Sequence, residues 1–85
     1  MPAQASGARR YMVVERFRPG KMAAAYERFR TQGRLLPDGL RYVDSWLDPE
    51  AAVCFQLMET EDPALFAAWT AAWDDLVAFD IHPLA

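Results

Sequence analysis

The sequence carries one cysteine, Cys54, and one histidine, His82, in 85 residues. A lone thiol excludes an internal disulfide and any cysteine-based metal cluster. A lone imidazole excludes multi-histidine metal sites as well, so no cofactor is expected. Positive charge is scarce. Nine Lys and Arg against twelve Asp and Glu give a formal net charge of −3, with a sequence pI of 4.9. Nucleic-acid binding needs a concentrated basic face, and so does attraction to an anionic membrane surface, which argues against both partners. No apolar run approaches the roughly 18–20 residues that span a bilayer. There is no Gly-rich phosphate loop, nucleophile elbow or acidic metal motif. Nothing in the pattern assigns a reaction.

What is present describes a small globular chain. Hydrophobic residues make up 53% and charged residues 25%, outside the disordered and membrane-like ranges. A chain this short builds one core and buries only about 60–65% of its unfolded surface, so a monomer is marginal unless paired. Residues 1–9 are small and polar and read as a loose tail; residues 10–85 read as a single domain. The tail lacks the apolar stretch of a signal peptide, and the expected location is cytoplasmic. Every Lys and Arg lies at or before Arg41, and beyond it only acids appear, from Asp44 to Asp80. In a compact domain whose halves interleave, this segregation predicts ion pairs between the halves rather than a basic and an acidic lobe.

Hydrophobic periodicity divides the chain into six elements. Tyr11–Phe17 is β-branched and aromatic and ends at Pro19-Gly20, a strand followed by a breaker. Met22, Ala25, Tyr26, Phe29, Gly33 and Leu36 then recur at three- and four-residue steps, an amphipathic helix with one buried stripe, ending near Gly33-Arg34. Pro37-Asp38-Gly39 is a turn. Leu40–Leu47 and Val53–Glu59 are strands joined closely enough to form an antiparallel hairpin. A five-residue loop would oppose Arg41 to Glu59, Tyr42 to Met58, Asp44 to Gln56 and Trp46 to Cys54, and a slip of one residue would break the pattern. Asp62-Pro63 marks a helix start, with an Asp cap and Pro at the first helical position. Leu65, Phe66, Trp69, Ala72, Trp73 and Leu76 form its apolar stripe, and Val77–Ile81 is a last strand. The order β-α-β-β-α-β is an α+β ferredoxin-like pattern: a four-stranded antiparallel sheet, helices on one face, the first and third strands central.

Two helices cover one face only, so the other should be polar if it meets water. It is not. Strand one carries Met12 and Val14 opposite Val13 and Phe17, and strand three is apolar on both parities. Such a patch, several hundred Å2 in rough extent, is more than monomers usually leave bare. At about 25 cal/mol per Å2, covering it contributes on the order of 10 kcal/mol before association costs are subtracted. A homodimer through the sheet face is therefore expected.

The blocks Tyr11–Phe17, Tyr26-Glu-Arg-Phe29, Gly33-Arg34, Leu36–Leu40, Tyr42–Trp46, Cys54–Thr60, Asp62–Phe66 and Trp69…Trp73…Leu76 resemble, in combination, a bacterial family known as domain of unknown function 3303. The resemblance covers nearly everything after the tail. It implies the dimeric α/β-barrel superfamily and no established activity. That superfamily spans cofactor-free monooxygenases, haem-degrading enzymes, isomerases and stress-related proteins, and fold alone does not choose among them.

Candidate lining residues for a pocket between helices and sheet are Glu15, Tyr26, Arg34, Asp44, Trp46, Gln56, Met58 and Trp69. Asp44, Gln56 and Glu15 stand mid-strand among apolar neighbours, where a polar group must be bonded or protonated. Either Asp44 bonds Gln56 or Arg34 and fixes register, or the pair lines a cleft and orients a ligand. Tyr26 is a wall residue with a satisfied hydroxyl or a cleft residue. Arg34 either complements the helix dipole or reaches the same cleft. The Trp69 and Trp73 stripe reads first as helix-to-sheet packing and second as an aromatic pocket wall. Cys54 has no basic neighbour and reads as an inert thiol. His82, near the chain end, is a weak general-base candidate. It is not on the second helix, where the haem-degrading relatives carry their ligand.

Three functions remain. The first is a small-molecule binding protein. The second is a cofactor-independent monooxygenase or isomerase acting on an aromatic or conjugated acid, with Asp44, Gln56 and Arg34 orienting polar groups. The third is an interaction module with no ligand.

Overall fold

The β-branched, aromatic run after the tail forms β1 (Arg9–Phe17), beginning two residues before the apolar pattern does. It is followed by α1 (Met22–Gln32), β2 (Leu40–Asp48), β3 (Val53–Thr60), α2 (Leu65–Ala71) and β4 (Val77–Pro83). This computed structural model describes residues 7–85; positions 1–6 of the expected tail lie outside the described residues. The strand order is β2-β3-β1-β4 with every neighbour antiparallel, so the first and third strands are central, as the pattern predicts. The fold is ferredoxin-like α+β.

Alternation assigns Tyr11, Val13, Glu15 and Phe17 of β1 to the helix-covered face, beside Met58, Gln56 and Cys54 of β3 and Val77, Phe79 and Ile81 of β4. The main core joins Tyr11, Val13, Leu40 and Met58 to Phe66, Trp69 and Trp73 from the α2 side. A smaller cluster joins Ala25 of α1 to Leu76 and Val77, with Phe17 and Phe79 against it.

The hairpin follows the expected register only in its first half. Arg41 opposes Glu59 and Tyr42 opposes Met58, then a β-bulge at Val43 shifts the ladder by one. Asp44 therefore opposes Leu57, Ser45 opposes Gln56 and Trp46 opposes Phe55, in place of the expected Asp44–Gln56 and Trp46–Cys54 pairs. The connection shortens to four residues, with Ala52 in the left-handed region at φ 57°. The bulge has a local cause. The Asp44 carboxylate accepts a hydrogen bond from the Ser45 backbone N–H at 2.8 Å and stays exposed to water rather than entering the core. Tyr42 and Ser45 then share a face, and their hydroxyls meet at 2.7 Å.

The helices also depart from the simple pattern. Ala25 of α1 is buried, but Tyr26 and Phe29 remain 43% and 42% exposed, so the expected buried stripe is only half covered. α1 ends at Gly33, whose φ of 72° and ψ of −160° suit glycine alone and whose N–H caps the Phe29 carbonyl at 2.8 Å. Asp62 accepts the Ala64 N–H at 3.0 Å and starts a turn. α2 begins only at Leu65, with Ala64 as its N-cap and no side-chain cap, so, contrary to expectation, Asp62 does not cap it and Pro63 is not its first residue. α2 is shorter than its stripe. After Ala71 the chain continues in tighter turns, with Trp73 N–H to the Thr70 carbonyl at 3.0 Å and Leu76 N–H to the Trp73 carbonyl at 2.9 Å. Arg28 holds that end: it donates to the Ala72 carbonyl at 2.8 Å and forks onto Asp75 at 2.8 and 2.7 Å.

The segregated charges pair across the halves. Arg10 and Arg41 share Glu59, Arg16 meets Asp80 and Arg28 meets Asp75. No helix among the described residues is long and apolar enough to cross a membrane.

Candidate functional site

Because α1 covers its half of the sheet incompletely, a cavity of about 210 Å3 is left between the two helical segments and the sheet. Phe17, Ala25, Tyr26, Phe29, Trp69, Trp73 and Val77 form its apolar wall, and Glu15, Arg34, Ser45, Cys54 and Gln56 supply polarity. Tyr26 and Phe29, the partly exposed lining residues of α1, give it an opening to solvent.

Each polar group is positioned by a different element. Glu15 enters from β1, a central strand, and is buried. Its carboxylate accepts a hydrogen bond from the Gln56 side-chain amide at 2.5 Å. Gln56 uses its other end to accept the Arg34 Nε–H at 3.5 Å, a long and therefore weak bond. The amide is thus oriented by its two partners, with its N–H toward the acid and its oxygen toward the base.

Arg34 stands in the loop after α1. Its guanidinium carbon lies 3.5 Å from the Tyr42 ring centroid and 5.0 Å from that of Phe29, so two aromatic faces sandwich it. Its backbone is fixed as firmly, since its carbonyl oxygen accepts both indole N–H groups, from Trp69 at 3.0 Å and Trp73 at 2.9 Å. The two tryptophans are core residues and cavity walls at once. Leu35, at φ 60°, completes the unusual turn that directs this carbonyl inward.

The electrostatics single out one group. Burial pushes the Glu15 carboxyl up to about 7, and the opposing help from Gln56 and then Arg34 does not offset it. A carboxyl that exchanges its proton near neutrality can serve as acid or base. Burial and the nearby Glu15 push the Cys54 thiol up to about 11, which keeps it protonated and unreactive. The Tyr26 hydroxyl is also raised, by burial and then by Cys54 and Glu15. Among the described residues no group of three His, Cys, Asp or Glu side chains could hold a metal.

Of the eight residues expected to line a pocket, Glu15, Tyr26, Arg34, Gln56 and Trp69 come together here. Three do not. The bulge turns Asp44 out to solvent, and it carries Trp46 to the open sheet face opposite Phe55, where it is 50% exposed. Met58 is fully buried in the main core beside Tyr11, one pleat away from the void. His82 is exposed on β4 opposite Met12, on the open face. Ser45 occupies the position meant for Asp44, and no sequence signal announces a one-residue bulge. Phe17, Ala25 and Phe29 were visible as apolar periodicity, but periodicity does not tell a filled interior from a hollow one.

No curated protein and no solved structure matches the chain. Residues 9–85 match the family model described as Domain of unknown function (DUF3303), and the chain belongs to that family.

Proposed function

We propose that the domain binds a small flat molecule in the cavity between helices and sheet, one per protomer, and that two protomers pair through their open sheet faces. The observation that carries the binding reading is a void of about 210 Å3 walled by aromatic rings around one buried, ionisable carboxyl. The void opens to solvent past Tyr26 and Phe29, so a small molecule can enter it and cover its apolar wall. A cavity of about 150 Å3 accepts benzene, so this one suits a single ring, or a conjugated chain, with a short substituent.

Pairing is supported by the open face. Met12, Val14, Phe55, Leu57 and Trp46 form its centre, with Phe55 38% exposed beside the half-exposed Trp46. Arg16–Asp80 and the Arg10–Glu59–Arg41 group form a charged rim around them. An apolar centre within a polar rim is the anatomy of an interface.

The titration of Glu15 near neutrality favours a second reading, a cofactor-independent enzyme such as an isomerase or monooxygenase. The acid–base role then belongs to Glu15, because Asp44 is remote from the cavity. On that reading Glu15→Gln keeps ligand binding and loses turnover.

A panel of single-ring aromatic and conjugated compounds tests the binding reading, followed by tryptophan emission and thermal shift. At least one should perturb Trp69 and Trp73. Ala25→Leu, which fills the cavity from α1 with a good helix former, should abolish that response while leaving the circular dichroism intact. A silent panel, or undiminished binding by the filled variant, would overturn it.

A further inference from the structure

Arg34 is the one cation among the described residues that line the cavity, and it makes no ion pair there. Arg10 and Arg41 share Glu59, Arg16 takes Asp80, Arg28 takes Asp75 and Arg30 takes Glu27. Arg34 instead stacks on Tyr42 and Phe29 and gives only its Nε–H to Gln56. Its two terminal amino groups have no hydrogen-bond partner among the described residues. Stacking fixes the guanidinium plane and leaves its edge as a fork suited to two oxygens. Nothing else in the cavity needs that fork.

We propose that the ligand is a flat, conjugated carboxylate whose oxygens take the Arg34 fork, and that its binding to protein with Glu15 ionised is accompanied by transfer of one proton from solvent to Glu15. This rests on the ligand-binding reading above and narrows it to the charge of the ligand. The reason is electrostatic. Gln56 ties Glu15 to Arg34, so the anion enters beside a buried carboxylate and draws off the cation that partly stabilises it. Protonation of Glu15 removes the repulsion and supplies an O–H donor; no bond in the ligand changes.

The groups that face Glu15 leave no alternative source of compensation. β3 contributes Cys54 and Gln56, β4 contributes the apolar Phe79, α1 contributes Tyr26 and the following loop contributes Arg34. Cys54 and Tyr26 are both held in their neutral forms. Among the described residues Arg34 is the only charge opposite Glu15. The carboxyl exchanges its proton near neutrality in the free protein, so the uptake occurs in an accessible range.

trans-Cinnamate and its neutral isostere trans-cinnamamide, titrated by tryptophan emission from pH 6 to pH 9, separate the alternatives. Cinnamate should bind with constant affinity below about pH 7 and lose up to tenfold per pH unit above it. Cinnamamide should bind more weakly at pH 6 and show no such slope. Glu15→Gln should hold cinnamate at the low-pH affinity throughout. Arg34→Gln, which keeps the backbone carbonyl that anchors both tryptophans, should lose at least tenfold for cinnamate and little for cinnamamide. If cinnamamide binds as tightly as cinnamate, or the pH slope persists in Glu15→Gln, the inference fails and the binding reading stands. If neither compound nor any member of the wider panel binds, the binding reading falls and takes this inference with it.

Discussion

Glu15 occupies a central-strand position that a sheet would ordinarily give to valine, and the fold tolerates it at a cost that depends on pH. Its proton is released near 4.5 in an unfolded chain and near 7 in the folded one. Between those values the folded state holds the proton and the unfolded state does not, so stability falls as pH rises through that window, by roughly 3 kcal/mol in all. Below it and above it this group contributes no slope. Asp75, lowered by its hydrogen bond to Arg28, acts with the opposite sign, and its effect is confined to more acidic solution. Urea unfolding at pH 5 and pH 8 should therefore show the natural protein weaker at pH 8. Glu15→Gln should remove most of that loss and raise the melting temperature at pH 8 by several degrees. An unchanged difference in the variant would show that Glu15 titrates elsewhere. Asp44→Asn, by contrast, should alter the stability of the single subunit by less than about 0.5 kcal/mol, because there its carboxylate is exposed and bonds only its neighbour's N–H. Mid-strand polarity drew attention to Glu15, Gln56 and Asp44 alike. It could not separate them, since a polar residue in a strand can be buried and bonded or turned out by a bulge.

At the level of elements, much was legible because each has a boundary with a mechanism: Pro19-Gly20, Gly33, Pro37-Asp38-Gly39 and Asp62-Pro63. Six elements in their order, the sheet's central pair and the Arg41–Glu59 register follow from those boundaries and from alternation. The second half of the hairpin was not legible. Both registers bury comparable apolar residues, and the choice depends on one carboxylate remaining hydrated. The depth of α1 was hidden too, because Tyr26 and Phe29 satisfy a helical stripe whether or not they reach the sheet. The loop that presents Arg34 depends on Gly33. A Cβ there would meet nothing within 4 Å, so any penalty is conformational. Gly33→Ala should cost about 1–3 kcal/mol through backbone strain alone. Thermal denaturation checks this, and a melting temperature equal to that of the natural protein would show that the turn relaxes without loss.

For the whole molecule, the proposed binding and pairing are separate tasks that fall on opposite faces of one sheet. The covered face holds the core and the cavity, with Glu15 and Gln56 at its middle. The open face is apolar at Met12, Val14, Phe55, Leu57 and Trp46 and carries no part of the cavity. On the proposed pairing, Phe55→Arg should therefore give a folded single subunit in sedimentation velocity, where the natural protein should sediment as a dimer, and it should still respond to cavity ligands. Loss of ligand response on dissociation would mean that the partner shapes the cavity. Both tasks are read together by native mass spectrometry of protein isolated from its source without denaturation. The account predicts an ion of two chains carrying one small acidic molecule per chain, released when Ala25→Leu fills the cavity. A bare single chain, stable at the same concentrations, would contradict it.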